Sequence, residues 1–187
     1  VGRLIAHLVE LYAPIPETTL RQLTMMLRYG APHLESRLRE RTVLRKLVMD
    51  DRLRAIEVDG MNWFVPAGER IAREAPNRVR LLAPFDPVVW DRRRFELFWG
   101  WRYRFEAYTP PARRLLGYYA LPLLWRDRVI GWSNIKNDES GRMMIETGFV
   151  GSRPRDPAFK LEFDAETERM REFLGAKRIV KSAPSRG

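Results

Sequence analysis

Four carboxylates, Asp86, Asp91, Glu96 and Glu106, fall inside one stretch, Leu81 to Trp132, that is otherwise dense in arginine and tryptophan. Neighbouring acids are what general acid–base chemistry requires, one held protonated and the other ionised by unequal surroundings. Here the surroundings are arginine-rich and hold carboxylates ionised, so capping and ion pairing are the expected roles and catalysis the alternative. Other chemistries are excluded by residue type. There is no cysteine, which removes disulfides, thiolate metal sites and a thiol nucleophile. The two histidines, His7 and His33, leave no credible triad or histidine-rich metal centre. Neither Gly-x-Gly-x-x-Gly, Gly-x-x-x-x-Gly-Lys nor Gly-x-Ser-x-Gly occurs. No catalytic residue, metal or cofactor is therefore assigned to this chain.

What the stretch does offer is guanidinium groups interleaved with rings. It holds Trp90, Trp99, Trp101, Trp125 and Trp132, together with Arg92, Arg93 and Arg94 in succession. Such a set forms either a packed core with a solvated rim or a surface that stacks on bases and grips phosphates. If Asp91 caps a helix from Arg92 to Trp99, the three arginines sit in its first turn, where the helix dipole disfavours cations. An anionic partner would account for that placement; pairing with Asp86, Asp91 or Glu96 is the alternative. The formal net charge is +10, with 34 basic against 24 acidic residues, and favours a polyanion. Residues 79 to 187 carry 21 Lys and Arg against 14 acids, whereas residues 1 to 78 carry 13 against 10. The second part holds most of the field.

The runs PFDPVVWDR (Pro84 to Arg92), FWGWRYRFEAYTP (Phe98 to Pro110) and GYYALPLLWRDRVIGW (Gly117 to Trp132) resemble the C-terminal region of the winged-helix DNA glycosylases of the YcaQ/AlkZ crosslink-repair family. The resemblance implies several winged-helix units and a β-rich C-terminal domain around a DNA channel, and excision of alkylated or crosslinked bases. The family's Gln-x-Gln or Gln-x-Asp motif is not matched: the single glutamine, Gln22, precedes Leu23 and Thr24. The resemblance therefore implies the last winged helix plus the C-terminal domain, a DNA-binding part whose catalytic unit is missing or lies on an N-terminal portion. It also makes the loop from Asp86 to Arg94 the part that faces a damaged nucleotide, with Asp86 and Asp91 facing the lesion and Trp90 either stacking or core. A winged-helix transcriptional regulator, or a protein-interaction module without catalytic activity, is the alternative.

The elements that must position these residues follow from periodicity. Leu4, Ile5, Leu8, Val9, Leu11 and Tyr12 predict a helix over 3 to 12, ended by Pro14 and Pro16. A second helix, capped by Thr18 or Thr19, buries Leu20, Leu23, Met26 and Leu27 and stops at Gly30. Pro32 to Asp51 reads as a basic helix broken near Thr42, and Leu53 to Val65 as a hairpin turning at Asp59-Gly60. Three helices and a hairpin make a winged helix, in which Arg37, Arg41, Arg45 and Lys46 contact phosphates and Trp63 sits on the wing. Solvated residues paired with Glu35, Glu40 and Asp50 give the same pattern.

Segments Val79 to Ala83, Tyr103 to Tyr108, Tyr118 to Trp125, Val129 to Asn137 and Met143 to Val150 predict an antiparallel sheet or small barrel. A helix from Pro157 to Leu174 closes it, with Phe159, Phe163, Met170, Phe173 and Leu174 along one stripe. The expected class is α+β, with a winged-helix domain over 1–70, a linker over 71–78, a β-rich domain over 79–181 and a tail over 182–187. The expected partner is double-stranded DNA. No apolar run reaches the length of a membrane span, so the expected location is cytoplasmic and nucleoid-associated, without membrane or small-molecule cofactor.

Overall fold

A computed structural model describes residues 1–38, 42–70 and 74–182. The chain divides into two compact units, Val1–Ala72 and Arg73–Gly187.

The first unit begins with α1 (Gly2–Tyr12), whose apolar stripe buries Ile5 and Val9. Proline stops it as expected, and Ile15–Pro16 then forms a two-residue strand, β1. Because β1 pairs with Phe64 and Trp63, the next helix α2 (Glu17–Gly30) begins directly after Pro16. It has no side-chain cap; Thr19, expected as an alternative cap, is instead buried in its first turn. Met26, expected on the buried face, is half exposed, and Gly30 is still helical. A single 3-10 turn over Pro32–Leu34 leads to α3 (Glu35–Leu38) and α4 (Thr42–Met49). The hairpin β2 (Leu53–Val58) and β3 (Met61–Pro66) follows, and Asp59 and Gly60 take the positive φ that a two-residue turn matching strand twist demands. The sheet order is β1-β3-β2, all antiparallel. Ile5, Val9, Leu20, Leu47, Leu53 and Phe64 form its core.

The second unit is a five-stranded sheet in the order β4-β5-β6-β7-β8. Its strands are β4 (Val79–Leu81), β5 (Ala120–Trp125), β6 (Arg128–Asn137), β7 (Arg142–Phe149) and β8 (Arg178–Ser182). Both faces of the sheet are covered, so β5 reads as a continuous apolar run. On one face Val79, Leu123, Trp125 and Ile145 pack against Phe159 and Phe163 of α6 (Pro157–Phe173). On the other, Leu124 and Val129 pack against Val89, Phe95 of α5 (Arg92–Trp99), and Tyr103. Each fully buried aromatic contributes roughly 2–3 kcal/mol by removal from water.

Three expectations change here. Tyr103 to Tyr108 is not a strand. Tyr103 and Glu106, three apart, are both buried, and the segment lies on the sheet as irregular backbone with the Tyr103 hydroxyl donating to the Ala120 carbonyl at 2.8 Å. The sheet is not wholly antiparallel, because α6 returns the chain as a crossover and β8 joins β7 in parallel. The buried stripe of α6 runs Phe159, Phe163, Glu166 and Thr167 and leaves Phe173 exposed. Glu166 belongs in that stripe because its carboxylate accepts the Leu81 backbone N–H at 2.9 Å and pairs with Arg169 at 2.6 Å.

Candidate nucleic-acid interface

In the first unit α4 is short and strongly two-sided. Leu47 points into the core, while Arg45 and Lys46 are exposed on adjacent flanks. Lys46 lines a cleft of about 400 Å³ with Arg37, Asp50 and Arg52. Arg45 lines a second groove with Arg21, Glu17, Asn62 and the exposed Met49. Arg37 is exposed on α3. None of Arg37, Arg45 and Lys46 makes an ion pair within 4 Å among the described residues, although Asp50 shares the cleft. Glu17, by contrast, is committed to Arg21 and to the Asn62 amide. Arg41 and Glu40 lie outside the described residues. Sequence reasoning did not single out Arg52, which reads as a turn residue after Asp50-Asp51; only folding brings it beside Lys46.

Trp63, expected on the wing, is 8% exposed. It pairs across the sheet with Pro16 on one side and Ile56 on the other and belongs to the interior. The hairpin tip exposes Val58 and Asp59 instead.

In the second unit the segment from Asp86 to Arg94 is a closed local structure. The Asp86 carboxylate accepts the Val88 N–H at 2.8 Å, and its carbonyl accepts those of Val89 and Trp90 at 2.8 and 3.0 Å. Asp86 thus satisfies backbone groups as expected, but of a turn and not of an α-helix. Asp91 caps α5 by accepting the N–H groups of Arg93 and Arg94 at 3.1 and 3.2 Å. Both carboxylates serve local backbone, the arrangement expected of capping residues.

The three arginines separate. Arg94, expected to meet DNA, is 2% exposed; its guanidinium donates to the Pro87 carbonyl and lies 5.7 Å from the Phe98 ring. It ties α5 to the preceding turn and is not available to a phosphate. Arg92 and Arg93 are exposed and make no ion pair within 4 Å among the described residues. Glu96 is engaged by Arg102 at 2.7 Å, and that bond holds the exposed Arg102 above its ordinary pKa. Two guanidinium groups without an ion pair among the described residues therefore project from a helix start whose acidic cap, Asp91, accepts backbone N–H groups. Trp90 is half-buried beside them.

Glu106 is 7% exposed, and its carboxylate accepts three backbone N–H groups: Leu115 at 2.9 Å, Leu116 at 2.7 Å and Gly117 at 3.2 Å. It closes the loop from 106 to 117 and has little capacity left for proton transfer. Beneath it, burial pushes the Tyr103 hydroxyl above the usual phenol range, with Tyr119 adding to the shift and Arg92 opposing it. Among the described residues no group of three His, Cys, Asp or Glu side chains is placed to hold a metal, and no helix is long and apolar enough to cross a membrane.

A family model described as DNA glycosylase AlkZ-like matches residues 1–173, reaching well beyond the fifty or so residues that carry the resemblance most clearly. No solved structure matches the chain.

Proposed function

The chain belongs to the AlkZ-like DNA glycosylase family, and on that footing we propose that it is a double-stranded-DNA-binding part of a protein that repairs alkylated or crosslinked DNA. The first unit, helices α1 to α4 followed by a hairpin, is read as a winged helix, and the second as the family's β-rich domain. Arg37, Arg45 and Lys46 of the first unit and Arg92 and Arg93 of the second are assigned to phosphates. The observation that carries the assignment is that all five are exposed and free of ion pairs within 4 Å among the described residues. The alternative is that local acids neutralise them; among the described residues the Asp86 carboxylate instead accepts the Val88 N–H and the Asp91 carboxylate those of Arg93 and Arg94.

Arginine forks match phosphate oxygens and carry no base information, so binding is largely independent of sequence and steep in salt. The loop from Asp86 to Arg94 is proposed to face the damaged nucleotide, with Trp90 at its edge and Asp86 and Asp91 holding its shape. Within these residues Gln22 is followed by Leu23 and Thr24, so the chain is assigned binding and no base excision of its own. Anisotropy titration of a random-sequence duplex against wild type and Arg92→Ala/Arg93→Ala tests the assignment. A several-fold loss in the variant supports it, and unchanged affinity contradicts it.

A further inference from the structure

The loop closed by Glu106 carries a set of rings that the core does not use. Tyr108 is 91% exposed, Phe85 70% and Tyr118 60%. Phe85, Tyr108 and Tyr119 gather around Phe105, at 5.5, 6.3 and 5.0 Å, ring centroid to centroid. Arg114 extends this group, donating to the Thr109 carbonyl at 2.8 Å while its guanidinium lies 4.9 Å from the Tyr118 ring.

The patch is rigidly supported. Besides the three N–H groups held by Glu106, the Asn134 amide donates to the Leu116 carbonyl at 2.6 Å. Gly117, at φ +117°, lies so close to Asn134 that a Cβ there would stand 2.5 Å from its amide nitrogen. A loop fixed this firmly displays its rings instead of folding them away, so the ordering cost of using them is already met by the fold.

Its charge identifies the occupant. Arg102 is engaged by Glu96, but between Tyr103 and Tyr119 the sequence holds Arg104, Arg113 and Arg114 against one acid, Glu106, and that acid is turned inward and saturated. Exposed rings with guanidinium groups beside them complement a ligand with flat faces and a negative backbone. In duplex DNA those faces are stacked on each other and unreachable, so the ligand is a segment of unpaired bases.

We propose that the patch of Phe85, Tyr108, Tyr118 and Tyr119 with Arg113 and Arg114 is a binding site for single-stranded DNA, made of side chains other than those assigned to the duplex. It rests on the DNA-binding reading for the identity of the polyanion, and it gives the protein a hold on the unpaired strand that opens beside a damaged or crosslinked base.

The test uses the 187-residue chain with a labelled thymidine oligomer of about ten nucleotides, within the usual span of single-strand sites. Wild type, Tyr108→Ala/Tyr118→Ala and Tyr108→Phe/Tyr118→Phe are titrated by anisotropy, with a random-sequence duplex in parallel. The expected result is at least about tenfold weaker oligomer binding by the alanine variant, near-wild-type binding by the phenylalanine variant, and duplex affinity within about twofold. Oligomer binding that depends on the tyrosines upholds the site even where the wild type ignores duplex, an outcome that removes only the duplex assignment. No oligomer binding by wild type, or equal binding by the alanine variant, overturns the proposal and leaves the patch to a protein partner.

Discussion

Both carboxylate oxygens of Glu106 accept the backbone N–H of Leu115, at 3.1 and 2.9 Å, ten residues of surface loop being closed by one buried acid. An amide in its place keeps one acceptor and turns an NH2 toward backbone donors. Glu106→Gln is expected to destabilise the protein by on the order of 2–3 kcal/mol, read from the urea midpoint. Amide exchange at Leu115, Leu116 and Gly117 should accelerate more than at β6. Unchanged exchange there would mean that the loop is held by its other contacts.

Arg92, Arg93 and Arg94 are consecutive and alike in sequence, and substitution should separate them. Arg94→Ala removes the donor to the Pro87 carbonyl and the packing on Phe98, and is expected to cost on the order of 3 kcal/mol. Arg92→Ala and Arg93→Ala should stay within about 0.5 kcal/mol of wild type, as exposed surface changes do. Thermal melts of the three single variants check this, and an equal loss for all three would refute the division of roles.

Tyr103 sets an alkaline limit. Burial raises its folded pKa, so the native state keeps the phenolic proton after the unfolded chain has begun to release it near the ordinary value of about 10. Its contribution is fully present below that value and declines as pH rises above it. Urea midpoints followed upward through that range should fall for wild type. For Tyr103→Phe the alkaline slope should be shallower, with about 1 kcal/mol lost at neutral pH with the bond to Ala120. Parallel slopes for the two proteins would place the alkaline sensitivity elsewhere.

Sequence carried the elements well where one periodicity ruled: α1, the hairpin turning at Asp59-Gly60, the Asp91 cap, β6 and β7 all follow local pattern. It misled where tertiary position decided. Tyr103 to Tyr108 has the alternation of a strand but lies across the sheet, and Trp63 and Arg94 have the types of surface contacts but fill interior space. β8 was hidden because a short parallel edge strand has no hairpin partner beside it in sequence. Of the candidate site, the exposed cations were legible as types, whereas their freedom from acidic partners depended on which carboxylates the backbone consumed. The aromatic patch could not be seen for the same reason. Only folding shows that Glu106 turns in while Tyr108 and Tyr118 turn out.

Salt dependence tests the central claim, duplex binding through unpaired cations, most directly. The logarithm of the affinity for a random-sequence duplex, plotted against the logarithm of salt concentration, should fall linearly with a slope of about −0.9 per phosphate contact. Arg45→Glu/Lys46→Glu and Arg92→Ala/Arg93→Ala should each lower that slope by about 2. A duplex affinity absent at low salt, or a slope that neither variant alters, would contradict the account.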